Sequence, residues 1–312
     1  MCSIFSETVS RYTEDVIALG FLKQGHVLIN EFWQKIIGDF TVDTERFPTL
    51  AETLNVMHRR GFRIVFSIQP FISTESTSFA EAVAKHLLVS ERYSDSRIPA
   101  LTRYKSLHSA GVLDVTNNET VPWLLEKLKN TRNKYHFDAF YLDLGTAYDM
   151  PHYYQCEKRL VNPDQYKTIF IAELQANVSL FGVNSAVVRP RVPTFVSLPM
   201  FESSWDGIRR VIPAILTYGL LGYPFLIPGA VGGDYEDPGR PFNISVGVDI
   251  EIHLPDKELY VRWLQLSTFL PVIRFTHLPS KYGDEKVLEM AKILTSLRQK
   301  TVSSRNVFFL LN

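Results

Sequence analysis

A lone carboxylate in an apolar strand has the strongest claim to chemistry in this sequence. Asp143 stands between Leu142 and Leu144 in the run DAFYLDL, and a charged group with such neighbours is costly to bury unless it is hydrogen-bonded or used. One reaction that needs it is the cleavage of an O-glycoside. There one carboxylate stabilises, or bonds to, the positively charged anomeric carbon while a second carboxyl protonates the leaving oxygen. Other polar residues also follow short apolar runs: Asn30 and Glu31 after VLI, Gln69 near the end of IVFSIQP, Asp114 after GVL, and Arg189 and Arg191 after AVV. Polar groups at strand ends often do no more than cap loops in water, and Asp143 differs by lying inside its run.

Several chemistries are excluded. Lys plus Arg and Asp plus Glu number 33 each, a net charge of zero. There is thus no basic excess to neutralise phosphates, and nucleic acid is not an expected partner. Cys2 and Cys156 form neither a metal-ligand spacing nor a disulfide framework. No Gly-x-Gly-x-x-Gly or Walker loop follows a strand, so neither a metal nor a cofactor is expected. No window approaches the roughly 18 apolar residues of a spanning helix, and no membrane contact is expected from this segment. Three sequons, at Asn118, Asn177 and Asn243, suggest glycosylation and a place in the secretory lumen or on an extracellular face. The opening Met-Cys-Ser-Ile-Phe-Ser-Glu lacks the charged head and apolar run of a signal peptide. The expectation is therefore a fragment or short isoform whose signal or anchor lies outside this chain.

The elements that must position these residues alternate. Strand-like runs at 27–29, 63–71, 111–115, 138–144, 185–188, 225–227 and 272–275 are interleaved with helical patterns at 49–60, 78–88, 119–133, 163–181, 203–222, 256–269 and 283–300. Short apolar strands between helices call for a parallel sheet covered on both faces, and this many units favour a closed barrel. The polar stretch Val89 to Ser109 reads as a long barrel loop. In such a barrel the working residues stand at the carboxyl ends of the strands.

Several ordered blocks carry a family resemblance: FDAFYLDLGT (137–146), SSWDGIRRVIPAILTYGLLGYPFLIPGAVGGD (203–234) and ELYVRWLQLSTFLPVIRF (258–275). With GDFTVDTERFPTLAETLNVMHRRGFRIVFSIQPFI (38–72) and GVLDVTN (111–117), they resemble glycoside hydrolase family 31, the α-glucosidase and α-xylosidase group. The resemblance implies one (β/α)8 TIM-type barrel domain over 1–312. The family's first strand would precede the helix near Phe5, and its flanking β-domains would lie outside the chain.

It also implies site roles, and these are mixed. The family nucleophile falls on Asp143, while the Glu three residues later is Thr146. The acid/base falls on Met200, which cannot transfer a proton, and a substrate-binding Arg falls on Ser197. The early acidic pair falls on Asn30 and Glu31. With Asp114, Trp205 and Arg274 these make the expected sugar-binding set. The sugar-binding His falls on Thr276, one residue before His277.

Two readings follow. In the first the protein is a retaining α-glycosidase with Glu202 as a displaced acid/base. The carboxyls of such an enzyme must stand about 5–5.5 Å apart, whereas two residues of loop can shift a group by roughly 7 Å. In the second it is a glycosidase-like barrel that binds a carbohydrate, small anion or partner protein with weak or absent turnover. Loss of the acid together with other sugar-contacting positions favours the second.

Overall fold

A computed structural model describes residues 4–20, 25–93, 95–105, 107–184, 194–234 and 254–304. In chain order the elements are α1 (Ile4–Ala18), β1 (His26–Ile29), α2 (Leu50–Arg59), β2 (Arg63–Ile68), β3 (Phe71–Ser73), α3 (Thr77–Ala84), β4 (Ser90–Glu91), β5 (Leu101–Tyr104) and β6 (Leu107–Val112). There follow α4 (Thr120–Tyr135), β7 (Ala139–Leu142), β8 (Tyr154–Gln155), α5 (Asp164–Asn177), β9 (Leu180–Val183), β10 (Phe195–Ser197), α6 (Trp205–Leu220), β11 (Leu226–Ile227), α7 (Lys257–Ser267) and α8 (Glu285–Ser304). The chain divides into two compact units. Gly25–Thr194 make up most of the first, and the second takes most of α1 and the described residues from Phe195 onward.

The first unit is built on four parallel strands in the order β1, β2, β7, β9. Beyond its exposed first residue, β2 is buried throughout, and so is all of β7. Burial on both faces explains why these strands read as continuous apolar runs instead of alternating ones. Among the described residues β1 pairs on one side only, and its Leu28 is 43% exposed. The helices between the strands turn one apolar stripe inward, as Leu50, Leu54 and Met57 of α2 and Leu124 and Leu128 of α4 do. At the amino edge Asp138 clamps β2 to β7, accepting from the Ile64 N–H at 2.7 Å and pairing with Arg63 and His58 at 2.9 Å each. The core beneath is aromatic: Phe66 stacks on Phe137 at 4.2 Å, Phe137 meets Phe140 edge-on, and the Trp33 indole donates to the Ser67 carbonyl at 2.7 Å.

Three expectations change. Val89 to Ser109 is not an open loop: β5 and β6 form an antiparallel ribbon that β3 extends into a three-stranded sheet, and β4 pairs with β8. In β5 only Tyr104 is buried, and a bulge falls between Thr102 and Tyr104, so no apolar run marks the strand. Helix α5 stops at Asn177, and the next strand is Leu180–Val183; the anticipated strand at 185–188 lies outside the described residues. Residues 272–275 form no strand, although the Arg274 carbonyl accepts from Val231 N–H at 2.9 Å.

The second unit pairs β10 with β11 in parallel. Ser204 caps α6 by accepting from Gly207 N–H at 3.0 Å. The chain ahead of that cap is packed so closely that a Cβ at Gly207 would stand 2.0 Å from the Glu202 carbonyl oxygen. Helix α1 joins this unit through Tyr12, whose hydroxyl donates to the Phe275 carbonyl at 3.3 Å.

Candidate active site at the carboxyl edge of the parallel strands

Parallel register decides which side chains meet. Leu142 of β7 is level with Ile68 of β2 and with Val183 of β9. The next residues, Gln69, Asp143 and Asn184, therefore form one row across three strands at the carboxyl edge. The Asp143 N–H donates to the Ile68 carbonyl at 2.8 Å and the Asn184 N–H to the Leu142 carbonyl at 3.0 Å, so the row is fixed by backbone. Asn184 then works at both ends of its amide. Its Nδ2 donates to Asp143 Oδ1 at 2.5 Å, and its Oδ1 accepts from the Leu144 N–H at 2.8 Å. Gly145 turns the chain away at φ +63°; a Cβ there would meet Asp149 Oδ2 at 2.8 Å and the Tyr104 ring at 3.0 Å. Thr146 and Asp149 close the turn with a reciprocal capping box.

The other Asp143 oxygen, Oδ2, accepts from Lys105 Nζ, which also pairs with Glu31 Oε1 at 3.3 Å. Lys105 comes from outside the parallel sheet. It follows Tyr104 at the tip of the β5–β6 ribbon, where Tyr104 pairs with Leu107, and has a φ of +48°, uncommon for a residue other than glycine. Burial works to strip its proton, but the negative charges of Asp143 and Glu31 outweigh this and hold the ammonium above the ordinary lysine pKa. Beside it the Tyr104 hydroxyl is buried next to the Asp143 carboxylate. Burial first, and then the charge of Asp143, push its pKa up. Gln69 is also buried, and among the described residues neither its amide oxygen nor its nitrogen has a partner.

The expected sugar-binding residues fare differently. Glu31 joins the Asp143 cluster through Lys105. Asn30 is exposed after β1, with no side-chain capping bond. Asp114 has both oxygens engaged internally: Oδ1 accepts from Thr116 N–H at 3.0 Å and Thr116 Oγ1 at 2.6 Å, and Oδ2 accepts from Glu157 N–H at 2.6 Å. It pins the 150s loop and does not join Asp143. Close by, burial and then the Asp114 charge push the Cys156 thiol up to about 12.

In the second unit Met200 and Trp205 are exposed, and Glu202 is an exposed carboxylate paired with Arg210. The Glu202 backbone bridges Asp234, and Ser203 Oγ donates to the Gly232 carbonyl at 2.7 Å. Arg274 and Thr276 are exposed, while burial and then Lys281 lower the pKa of half-buried His277. Asn118 and Asn177 are exposed and line one cleft beside α4 and α5; Asn243 lies outside the described residues. Among the described residues no cluster of His, Cys, Asp or Glu could hold a metal ion, and no helix is long and apolar enough to cross a membrane.

Sequence reasoning missed Lys105 and Asn184. Asn184 was legible in principle as the polar residue ending an apolar run, had the strand been placed at 180–183. Lys105 was not, because an antiparallel ribbon delivers it and no spacing along the chain connects it to Asp143.

Residues 6–186 and 200–302 match the TIM-barrel domain of glycosyl hydrolases family 31. The chain belongs to this family. It is 31% identical over 281 residues to the myogenesis-regulating glycosidase of Mus musculus, covering 89% of this chain and 38% of that protein. To the SITS-binding protein of Tetronarce californica it is 28% identical over 254 residues, covering 77% of this chain and 34% of that protein. Among solved structures, the family-31 dextranase of Flavobacterium johnsoniae complexed with glucose superposes with a TM-score of 0.78 at 18% identity, over 95% of this chain and 38% of that one. A family-31 α-xylosidase from a soil metagenome complexed with xylose gives a TM-score of 0.69 at 17% identity, over 94% of this chain and 46% of that one. The chain thus spans less than half the length of each of these proteins. At such identities the structural likeness concerns the fold.

Proposed function

We propose that this protein recognises a carbohydrate or O-glycoside at the Asp143 site and, as a retaining α-glycosidase type, turns it over weakly or not at all. The observation that carries the reading is Asp143 itself, a carboxylate at a parallel strand's carboxyl end held by two side chains, Lys105 and Asn184. Met200 argues for weak turnover, since a thioether supplies no proton and general acid help is worth roughly 10²–10⁴ in rate. Glu202 is a poor replacement because its side chain is 60% exposed and already engaged with Arg210. The sugars in the solved relatives support a carbohydrate ligand. Exposed Asn118 and Asn177 support glycosylation and a luminal or extracellular location, which a mass decrease on deglycosylating the secreted protein would test.

The functional test is a panel of α-glycosides offered to the full-length protein and to Asp143→Asn. The reading expects binding of at least one sugar that Asp143→Asn loses, with turnover far below that of active family members. Binding that is indifferent to Asp143→Asn overturns it.

A further inference from the structure

Gln69 stands in the row with Asp143 and holds nothing. It is 3% exposed, and among the described residues neither end of its amide has a partner. Folded proteins pair the large majority of their buried polar side-chain atoms, so an amide orphaned at both ends calls for an explanation. Gln34 shows the structural use of the same group. Its amide oxygen accepts from the Gly38 and Phe40 N–H groups at 2.9 and 3.1 Å, and so fixes a bend where both residues have positive φ. Gln69 fixes no bend. We propose that Gln69 is a specificity residue whose amide accepts from one ring hydroxyl of the ligand and donates to the next, beginning at the 2-hydroxyl. The substrate class is then a glycoside with free adjacent hydroxyls beside its anomeric carbon. This inference rests on the reading of Asp143 as the group that faces the glycoside.

Register supplies the geometry. Ile68 is level with Leu142, and the Asp143 N–H continues the ladder to the Ile68 carbonyl at 2.8 Å, so Gln69 and Asp143 are level too. Pro70 follows Gln69, which keeps Gln69 in extended backbone. Level residues of parallel strands share a face, and neighbouring strands lie about 4.8 Å apart. The bond from Asn184 to Asp143 shows that face in use one strand further on. A sugar whose anomeric carbon faces Asp143 therefore carries its 2-hydroxyl, on the next ring carbon, into reach of Gln69. An amide offers an acceptor and a donor side by side, which complements two adjacent hydroxyls. Asp143 is itself 7% exposed, so the movement that admits a glycoside to it also opens the way to its level neighbour. A buried group that hydrogen-bonds a ligand hydroxyl discriminates strongly against the analogue lacking it, because its own polar atoms are then left unpaired.

The test is calorimetric titration of the full-length protein with methyl α-glucoside, methyl α-galactoside and the 2-deoxy form of each. It is repeated on Gln69→Met, Gln69→Leu and Asp143→Asn, and the melting temperature of each protein is measured without sugar. The parent is expected to bind at least one of the two glycosides, and to bind its 2-deoxy form at least about tenfold more weakly. Gln69→Met should bind both forms alike, near the parent's affinity for the 2-deoxy sugar. Without sugar it should melt no lower than the parent, since a thioether of similar shape replaces an amide that had no partner. Gln69→Leu is carried through the same measurements in case Gln69→Met folds poorly. A fall of more than about 5 °C in both variants puts the amide to structural use and overturns the proposal. A 2-deoxy penalty that persists in both variants, while Asp143→Asn abolishes binding, overturns the role of Gln69 and spares that of Asp143. So does a parent that binds the 2-deoxy sugar as tightly as the complete one. Binding that Asp143→Asn leaves intact, or no binding of either glycoside to the parent, removes the site reading and this inference together.

Discussion

Asp114 and Asp143 are both carboxylates buried in the first unit, and both have apolar residues on either side in the sequence. Their donors separate them. Two of the three on Asp114 are backbone N–H groups, from Thr116 and Glu157, and the third is the neighbouring Thr116 hydroxyl. Those on the Asp143 side chain are the side chains of Lys105 and Asn184. A carboxylate held by backbone cannot exchange partners without unfolding a loop, whereas one held by side chains can release a donor to a ligand. Burial marks both as important, and donor type distinguishes structure from recognition.

The comparison is most exposed to failure at Asp114. Asp114→Ala strands two buried N–H groups and is expected to cost about 2–4 kcal/mol in denaturant unfolding, with Asp143→Asn staying within about 1 kcal/mol of the parent because its isosteric amide still fills the site. Equal losses would erase the distinction. Next in size is Gly145→Ala, which forces a side chain onto a left-handed turn already in contact with Asp149 and Tyr104; a loss of about 1–3 kcal/mol is expected, again by chemical unfolding.

A smaller effect sharpens the Asp114 side through pH. Because burial and Asp114 raise the Cys156 thiol to about 12, its thiolate is scarce near neutrality. Alkylation by iodoacetamide should be slow in the folded protein and rise with pH well past the range of an ordinary thiol. Asp114→Asn removes the negative charge, which lowers the thiol pKa and speeds alkylation at pH 8; a slower rate would contradict the electrostatic account. The smallest effect belongs to the second unit. Glu202→Gln removes an exposed ion pair with Arg210 and should change stability by about 0.5 kcal/mol or less, with glycoside binding unchanged.

The sequence disclosed what depends on local pattern. The βα alternation, the all-buried runs of β2 and β7 and the lone Asp143 follow from hydrophobic periodicity and the cost of burying charge, and they were legible. The β5–β6 ribbon was hidden because β5 buries only Tyr104 and so carries no apolar run. Lys105 was hidden too, since Tyr104 pairs with Leu107 across a local turn but only tertiary packing carries Lys105, which lies between them, to Asp143. Asp114 shows how contacts remote in sequence escape a reading by position. Its strand-end position matched the expectation for a sugar ligand, but only the structure reveals Glu157 N–H on its free oxygen.

The central claim is that Asp143 faces a glycoside without an effective proton donor, and leaving-group dependence tests it most directly. A 2,4-dinitrophenyl α-glycoside departs without protonation, while a methyl α-glycoside needs it. The account predicts that the full-length protein releases dinitrophenolate slowly, leaves the methyl glycoside intact, and loses the first activity in Asp143→Asn. Comparable hydrolysis of both glycosides, or dinitrophenolate release that survives Asp143→Asn, would contradict it.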